Sequence, residues 1–396
     1  MSRAQIFISY KENCLYHLSK WYKLAVFAKG ITFATIRKGN TMDLQEALSE
    51  WQALQPLSKE DKLRLQRKFI VDFNYNSNHI EGNTLTYGQT EVLLIFGNSA
   101  GGIDIKETLD MKAHDVCVKM IQDSVDEGMQ SLSGTFIRQL HQTMLREDYQ
   151  IYHNLPGGIA STYTIHAGRY KTRPNSVITR YGDRFEYASP EETPALMSDL
   201  IDWYNEERLS RNYTPEVLAA LFHYRFIRIH PFEDGNGRMA RLLTNFILAS
   251  NGYPMLVVRS RNKSAYLEAL HKTDLQVGTT PHRGAYATRE QASIFITYFQ
   301  QLLAEETHLN NLFLTEHNEG IWWFDGQRIT FRSETVSKML RIMRAQPNVT
   351  IRSLAEQTGI NKSAIQKQVK RLVEKGYILK QIQENKKWHV ALVSSI

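Results

Sequence analysis

A mostly helical protein, interrupted once by a short β segment and closed by a small helix-turn-helix unit, is what this sequence predicts. Apolar residues recur at helical spacing through most of the stretch from about residue 43 to about residue 305. That pattern fails between about 155 and 190, where turn-forming residues crowd together. From Ser333 onward, helix, Gly-containing turn and helix are followed by two alternating stretches. Helices at this density with few strand patterns put the body of the chain in the all-α class.

Composition narrows the functions available. The chain has 396 residues, enough for two or three domains, and its 42% hydrophobic content suits a globular protein. It holds no run of 18 apolar residues, so no stable membrane insertion is expected. Its two cysteines, Cys14 and Cys117, exclude a disulfide framework and fit a reducing cytoplasm, and no Cys/His cluster suggests structural zinc. The net charge of +7 is uneven: residues 1–41 carry +6 and residues 332–396 carry +9, which leaves the middle at about −8. The basic ends therefore say nothing about the charge of a site in the body.

Residues 1–41 mix aromatic and basic side chains, Tyr10, Tyr16, Lys20, Trp21, Tyr22 and Lys23 among them, around the apolar patch Leu24-Ala-Val-Phe-Ala. They match neither a secretory signal nor an organelle-targeting arm. Met42 is followed at once by the helical pattern Asp43-Leu-Gln-Glu-Ala-Leu, which suggests a native start at Met42 and an over-extended upstream arm. A peripheral membrane or nucleic-acid arm is the alternative. From Ser58, with Glu60 and Asp61 in its first turn, a helix carries Leu63, Phe69, Ile70 and Phe73 to Ser77 or beyond. There stands Ser77-Asn-His-Ile-Glu81-Gly82-Asn83, whose Ser77 and Glu81 a helix puts on one face.

Helices follow at roughly 87–97, 105–126, 134–146, 191–206, 263–272 and 289–305. In the interruption, Pro156-Gly157-Gly158, Ala167-Gly168, Arg173-Pro174-Asn175 and Tyr181-Gly182-Asp183 mark turns around Arg169-Tyr-Lys and Val177-Ile-Thr. This reads as a β-hairpin or extended flap, and a stretch of that length in a compact domain is usually functional.

The stretch from His230 to Arg241, HPFEDGNGRMAR, has the strongest chemistry. Thr214-Pro215 opens a helix that ends at His230, because Pro231 disfavours helical geometry in the residue before it. A second helix begins near Gly237 and stops at Asn251-Gly252. Between them, Gly235-Asn236-Gly237 would offer free backbone N–H groups at a helix start, an anion site. Arg238 and Arg241 can reach the same phosphates. Asp234 is an oxygen ligand suited to Mg2+, and His230 is the group able to take a proton near neutral pH. Together they suggest phosphoryl or nucleotidyl transfer.

These twelve residues resemble, position for position, the signature of Fic-domain proteins. Membership implies transfer of AMP from ATP to a Ser, Thr or Tyr hydroxyl of a protein, self-modification included, with release of pyrophosphate. His230 would take the hydroxyl proton and Asp234 would hold Mg2+ on the phosphates; Gly235, Asn236 and Gly237 would form the anion nest, and Arg238 and Arg241 would neutralise the phosphate tail. Phe232 would face the core. Ser77 through Glu81-Gly82 resembles the family's inhibitory motif, whose glutamate would pair with Arg241 where a γ-phosphate needs that cation. Gly168, Tyr170, Lys171 and Val177 resemble the flap that positions the target by main-chain pairing. Tyr266 and Leu270 fit the adenosine side, or equally well a helix core.

At the C-terminus, Ile351 to Gln366 reads as helix-turn-helix, with Lys362, Lys367, Lys370 and Arg371 on the second helix. Gly376 to Leu392 alternates like two strands joined at Glu384-Asn385-Lys386, so the unit resembles a winged helix. Its charge suits DNA phosphates, while such folds also serve as docking or homodimerisation modules. The expected layout is an extension over 1–41, a helical segment with the inhibitory motif over 42–130, a Fic core over 131–305, a linker over 306–332 and the winged helix over 333–396. Two other functions remain open: a transcriptional regulator acting mainly through DNA, and an AMP-removing enzyme in which Glu81 orients water.

Overall fold

A computed structural model describes residues 42–97, 104–155, 159–178, 184–318, 320–380 and 387–394. The N-terminal extension and the turns expected at 156–158, 181–183 and 384–386 lie outside the described residues. From Leu44 to Ile396 the chain forms one compact unit.

Helix α1 (Leu44–Ala53) is followed by α2 (Lys59–Ile80), α3 (Tyr87–Phe96), α4 (Ile105–Asp126) and α5 (Gly134–Leu145). Local capping explains their starts: Ser58, Asp104 and Ser133 each accept a backbone N–H of the first turn, and Thr86 with Gln89 closes a capping box on α3. Two hairpins come next. Strands β1 (Tyr149–Leu155) and β2 (Ile159–Ile165) pair antiparallel with Tyr149 opposite Ile165, and β3 (Val177–Ile178) pairs with β4 (Arg184–Phe185). The first strand precedes the expected interruption, because its alternation of polar and apolar residues begins straight after α5.

Helices α6 (Thr193–Ser210), α7 (Pro215–Ile229), α8 (Asn236–Ala249), α9 (Lys263–Val277), α10 (Pro281–Ala285) and α11 (Ser293–Thr315) complete the helical body. α7 is its axis: 13 of its 15 residues are buried, and α8, α6, α10 and α11 all pack on it. A helix apolar nearly all round belongs in the middle of a core. Phe222 and Phe226, both fully buried, stack in its interior.

Beyond α11, the expected linker over 306–332 is replaced by ordered structure. α11 runs on to Thr315, because Leu309, Leu312, Phe313 and Leu314 keep an apolar face against Trp51 and Trp323. Strands β5 (Ile321–Phe324) and β6 (Gln327–Thr330) then form a hairpin around Asp325-Gly326, both at positive φ, the geometry that Asp-Gly favours. The C-terminal unit follows as α12 (Glu334–Ala345), α13 (Ile351–Thr358), α14 (Lys362–Glu374), β7 (Ile378–Lys380), β8 (Trp388–Val390) and β9 (Val393–Ser394). β9 pairs with β5, and Trp322 joins Met339, Leu340, Met343, Leu354, Ile365 and Leu372 in one core. The β5-β6 hairpin thus belongs to the winged-helix unit.

No helix among the described residues is long and apolar enough to cross a membrane. Emptying the centre of α7 tests its place as the axis: Phe222→Ala should cost about 3–5 kcal/mol of stability, read from urea unfolding midpoints at constant slope.

Candidate functional site

The turn between α7 and α8 is held in a shape that most residues resist. His230, at the end of α7, adopts φ 52° and ψ 60°, and its N–H bonds Phe226 O. A non-glycine residue in that region is costly and persists only where its surroundings enforce it. Gly235, φ 77°, caps the start of α8, where a Cβ would collide with the Met144 methyl. Phe232 is fully buried beneath the turn, as its sequence context suggests.

Several side chains enforce the loop. Asn236 grips Phe232 both ways: its Nδ2 donates to Phe232 O (2.7 Å) and its Oδ1 accepts from Phe232 N (2.9 Å). Lys171, 3% exposed, donates from Nζ to Ile229 O (3.0 Å) and to Asn175 Oδ1 (2.8 Å). Asn175 Nδ2 in turn donates to the carbonyls of His230 (3.2 Å) and Phe232 (2.8 Å). His141 stacks on Phe232 with ring centroids 3.7 Å apart. Its Nδ1 accepts from Gly168 N (2.9 Å), so its Nε2 carries the proton and donates to Asp234 O (3.0 Å). Burial pushes this imidazole down to about 4, so it stays neutral. Glu233 accepts from Thr172 N, Thr172 Oγ1 and His166 N, tying the preceding loop to the turn.

Three of the expected flap residues therefore do different work. Gly168, Tyr170 and Lys171 lie between the two hairpins, not in a strand, and face the turn. Gly168 sits at φ 73° against Arg138 O and Gln142, Tyr170 packs near Phe232, and Lys171 N donates to Pro231 O (2.9 Å). Val177 alone stands in a strand, paired with Phe185. Tyr266 is also placed differently from a residue of an open nucleotide cleft. It is 3% exposed, its hydroxyl is bonded to His223 Nε2 (2.8 Å), and Leu270 lies in the same core.

His230, Asp234 and Arg238 stand around the start of α8. His230 lies parallel to Tyr187, centroids 3.9 Å apart, and its Nδ1 is 3.3 Å from Ile227 O. A carbonyl only accepts, so Nδ1 bears the proton and Nε2 keeps its lone pair. Burial, aided by the charge of Lys171, pushes His230 down to about 4. Burial also moves Lys171 itself down to about 7. Asp234 Oδ2 accepts from Tyr149 (2.7 Å) and lies 3.5 Å from Arg238 Nη2. Burial alone would raise its carboxyl, but Arg238 and the Tyr149 hydroxyl outweigh it and hold Asp234 ionised. Arg238 is 8% exposed, and its buried Nε lacks a hydrogen-bond partner among the described residues. A buried donor without a partner calls for one, and an anion would supply it.

Arg241 is already occupied. Its Nη2 donates to Glu81 Oε1 (2.7 Å) and Ser77 O (2.9 Å), and its Nε donates to Ser77 Oγ (3.0 Å). The glutamate caps α2 and leans over the start of α8, where a Cβ on Gly237 would collide with its carboxylate. Burial would raise the Glu81 carboxyl, but Arg241 outweighs it and keeps it ionised. For a magnesium ion the site offers the ionised carboxylate Asp234, and the described residues contain no cluster of three metal-ligating side chains. That fits an ion that reaches the site on substrate phosphates.

Sequence reasoning missed His141, Tyr149, Asn175 and Glu233. His141 and Tyr149 are far from the signature in sequence, and only tertiary contact reveals them. An NMR titration should place the His230 midpoint near 4, and Lys171→Met should raise it; a midpoint near 6.5 in the intact protein would contradict this electrostatic picture.

The Fic/DOC family matches residues 131–248, and a winged helix-turn-helix DNA-binding family matches residues 332–379. Protein adenylyltransferase fic-1 of Caenorhabditis elegans is 31% identical over 212 residues, which cover 54% of this chain and 38% of that protein. Protein adenylyltransferase Fic of Nematostella vectensis is 31% identical over 205 residues, 50% of this chain and 42% of that one. The chain thus spans about two fifths of the length of these curated relatives. The crystal structure of a Fic domain containing signaling protein from Bacteroides thetaiotaomicron is 48% identical, with a TM-score of 0.63 over 68% of this chain and 95% of that one. A chain that accounts for nearly all of that protein at such identity, and carries the whole HPFEDGNGR turn in the fold just described, belongs to the Fic family.

Proposed function

We propose that this protein transfers AMP from ATP to a hydroxyl side chain of a protein, its own included, and that Glu81 restrains the reaction. The arrangement around the start of α8 carries the reading: His230 keeps Nε2 open, while Arg238 presents a buried donor that has no partner among the described residues, beside ionised Asp234. The relatives named protein adenylyltransferase support the same chemistry and imply ATP as the substrate.

In this scheme the target hydroxyl lies near His230. Its oxygen attacks the α-phosphorus, His230 Nε2 takes the hydroxyl proton, and the bond from the α-phosphorus to its bridging oxygen breaks. Pyrophosphate leaves with the electron pair of that bond. Arg238 and the N–H groups that open α8 meet the charge that builds on the phosphates. Mg2+ held by Asp234 would supply further neutralisation of the phosphate oxygens. β3, including Val177, would offer main-chain pairing to the target segment, and the neighbouring clamps around Gly168, Tyr170 and Lys171 keep His230 at its strained φ.

Glu81 would restrain transfer by holding the cation that a terminal phosphate needs. The side chain is 41% exposed, so it can swing away from Arg241 without unpacking the core. With α-labelled ATP and magnesium, Glu81→Gly should raise self-labelling by at least about tenfold, and adding His230→Ala should abolish it. Absence of labelling in Glu81→Gly would refute the transferase reading. An AMP-removing role predicts the reverse dependence, loss of activity in Glu81→Gly, in the same assay with a modified protein.

The C-terminal unit supports a second partner. α14 exposes Lys362, Lys367, Lys370 and Arg371 on a helix placed as the second of a helix-turn-helix pair. We assign this face to duplex DNA. Replacing Lys367 and Lys370 with Ala should flatten the slope of log binding constant against log salt by about 0.9 for each phosphate that the variant no longer neutralises. An unchanged slope would point to protein docking.

A further inference from the structure

The winged-helix unit makes polar contacts with the end of α2 and with the segment before α9. At the tip of the β5-β6 hairpin, Asp325 Oδ1 accepts from Asn76 Nδ2 (2.7 Å), and Asn76 immediately precedes Ser77. Asn76 is fully buried, and its Oδ1 accepts from Ser260 N (2.7 Å). Its side chain thus pins the last turns of α2 to the hairpin tip and to the segment before α9. The tip is held in turn: Arg259 Nη1 lies 3.1 Å from Asp325 Oδ1, and Arg261 Nη1 donates to Asp325 O (2.7 Å) and Oδ2 (2.9 Å). Arg259, 1% exposed, also pairs with Asp72 of α2 and takes a two-point grip on Glu306 of α11. Gly326 is required here, since a Cβ would collide with the Arg259 guanidinium. A second attachment lies on α3, where His389 of β8 bonds Glu91 (3.0 Å) and Leu379 of β7 packs on Gly88.

We infer that Asp325 is a positioning residue for inhibition: through Asn76 it fixes the end of α2, and so keeps Ser77 and Glu81 on Arg241. The inference rests on the reading of Glu81 as a restraint and names the device that holds that restraint in place. Glu81 itself is partly exposed and makes only one described side-chain bond, so its position depends on the backbone that carries it. That backbone is anchored by a residue 249 positions away in sequence, inside the unit that carries the basic helix. Any partner that pulls the hairpin from α2 would then act on the catalytic turn without touching it, since two states of α2 would differ in their contacts to both.

The experiment uses the full chain in two readouts, self-labelling by α-labelled ATP with magnesium and hydrogen exchange of the amides of residues 77–82. Asp325→Ala should raise labelling by about tenfold over the unaltered protein, add nothing on top of Glu81→Gly, and speed exchange at residues 77–82. Asp325→Asn, which keeps an acceptor for Asn76, should fall between the two. Asn76→Ala removes the same bond from the other side and serves if Asp325→Ala fails to melt cooperatively. Labelling by Glu81→Gly with no gain in Asp325→Ala or Asn76→Ala overturns the inference, as does an equal gain on the Glu81→Gly background. If Glu81→Gly itself is silent, the transferase reading fails; hydrogen exchange then decides the inference alone, and unchanged protection at residues 77–82 overturns it.

Discussion

The guanidinium of Arg241 is the group on which the rest of this structure turns. It is 2% exposed, one turn into α8, and its bonds to Ser77 and Glu81 tie it to the end of α2. A buried arginine left without partners is costly, so it is paired in any stable state. Ser77 supplies two of those partners from the helix body, and Glu81 supplies the third from the helix end. Of these, the glutamate alone carries a charge, and it is the exposed one. In the proposed reaction a phosphate takes the place of Glu81 while Ser77 stays bonded to Arg241.

The turn between α7 and α8 follows a different logic. Its backbone is strained at His230 and needs glycine at 235, and within the turn the Asn236 to Phe232 clamp helps to hold it. The rest comes from outside: Lys171 and Asn175 from the segment after the first hairpin, and His141 from α5, stacked on Phe232. His141 and His230 are both neutral through burial, yet they differ in tautomer. His141 donates from Nε2 and accepts at Nδ1, while His230 donates from Nδ1 and leaves Nε2 without a described hydrogen bond. Burial thus leaves both imidazoles neutral, and their hydrogen-bond partners set which nitrogen bears the proton.

Much of this is legible in the sequence. The helix starts at Ser58, Thr86, Asp104 and Ser133 carry side chains that cap, and the signature turn groups its chemistry within twelve residues. Pairing of Glu81 with Arg241 is readable from the resemblance, and the two side chains stand 2.7 Å apart. What is misread has physical reasons. Residues 306–332 look like a linker, although Trp322-Trp-Phe-Asp-Gly-Gln-Arg-Ile-Thr330 carries a strong hairpin signal, with Asp-Gly between apolar and β-forming residues. Tyr266 has the same helical spacing whether it meets adenine or the core, and spacing alone does not decide. Lys171 and Tyr170 resemble flap residues by sequence, but burial turns them inward. His141 and Asn175 act through contacts between distant segments, which no local pattern encodes.

The most direct measurement is the position of bound ATP itself. Crystal structures of the unaltered protein and of Glu81→Gly, each with magnesium and a non-hydrolysable ATP analogue, show which group Arg241 holds. The account predicts the terminal phosphate on Arg241 in Glu81→Gly and, in the unaltered protein, Arg241 still bonded to Glu81 with that phosphate elsewhere. A terminal phosphate seated on Arg241 in the same place in both, with Glu81 undisplaced, would contradict it.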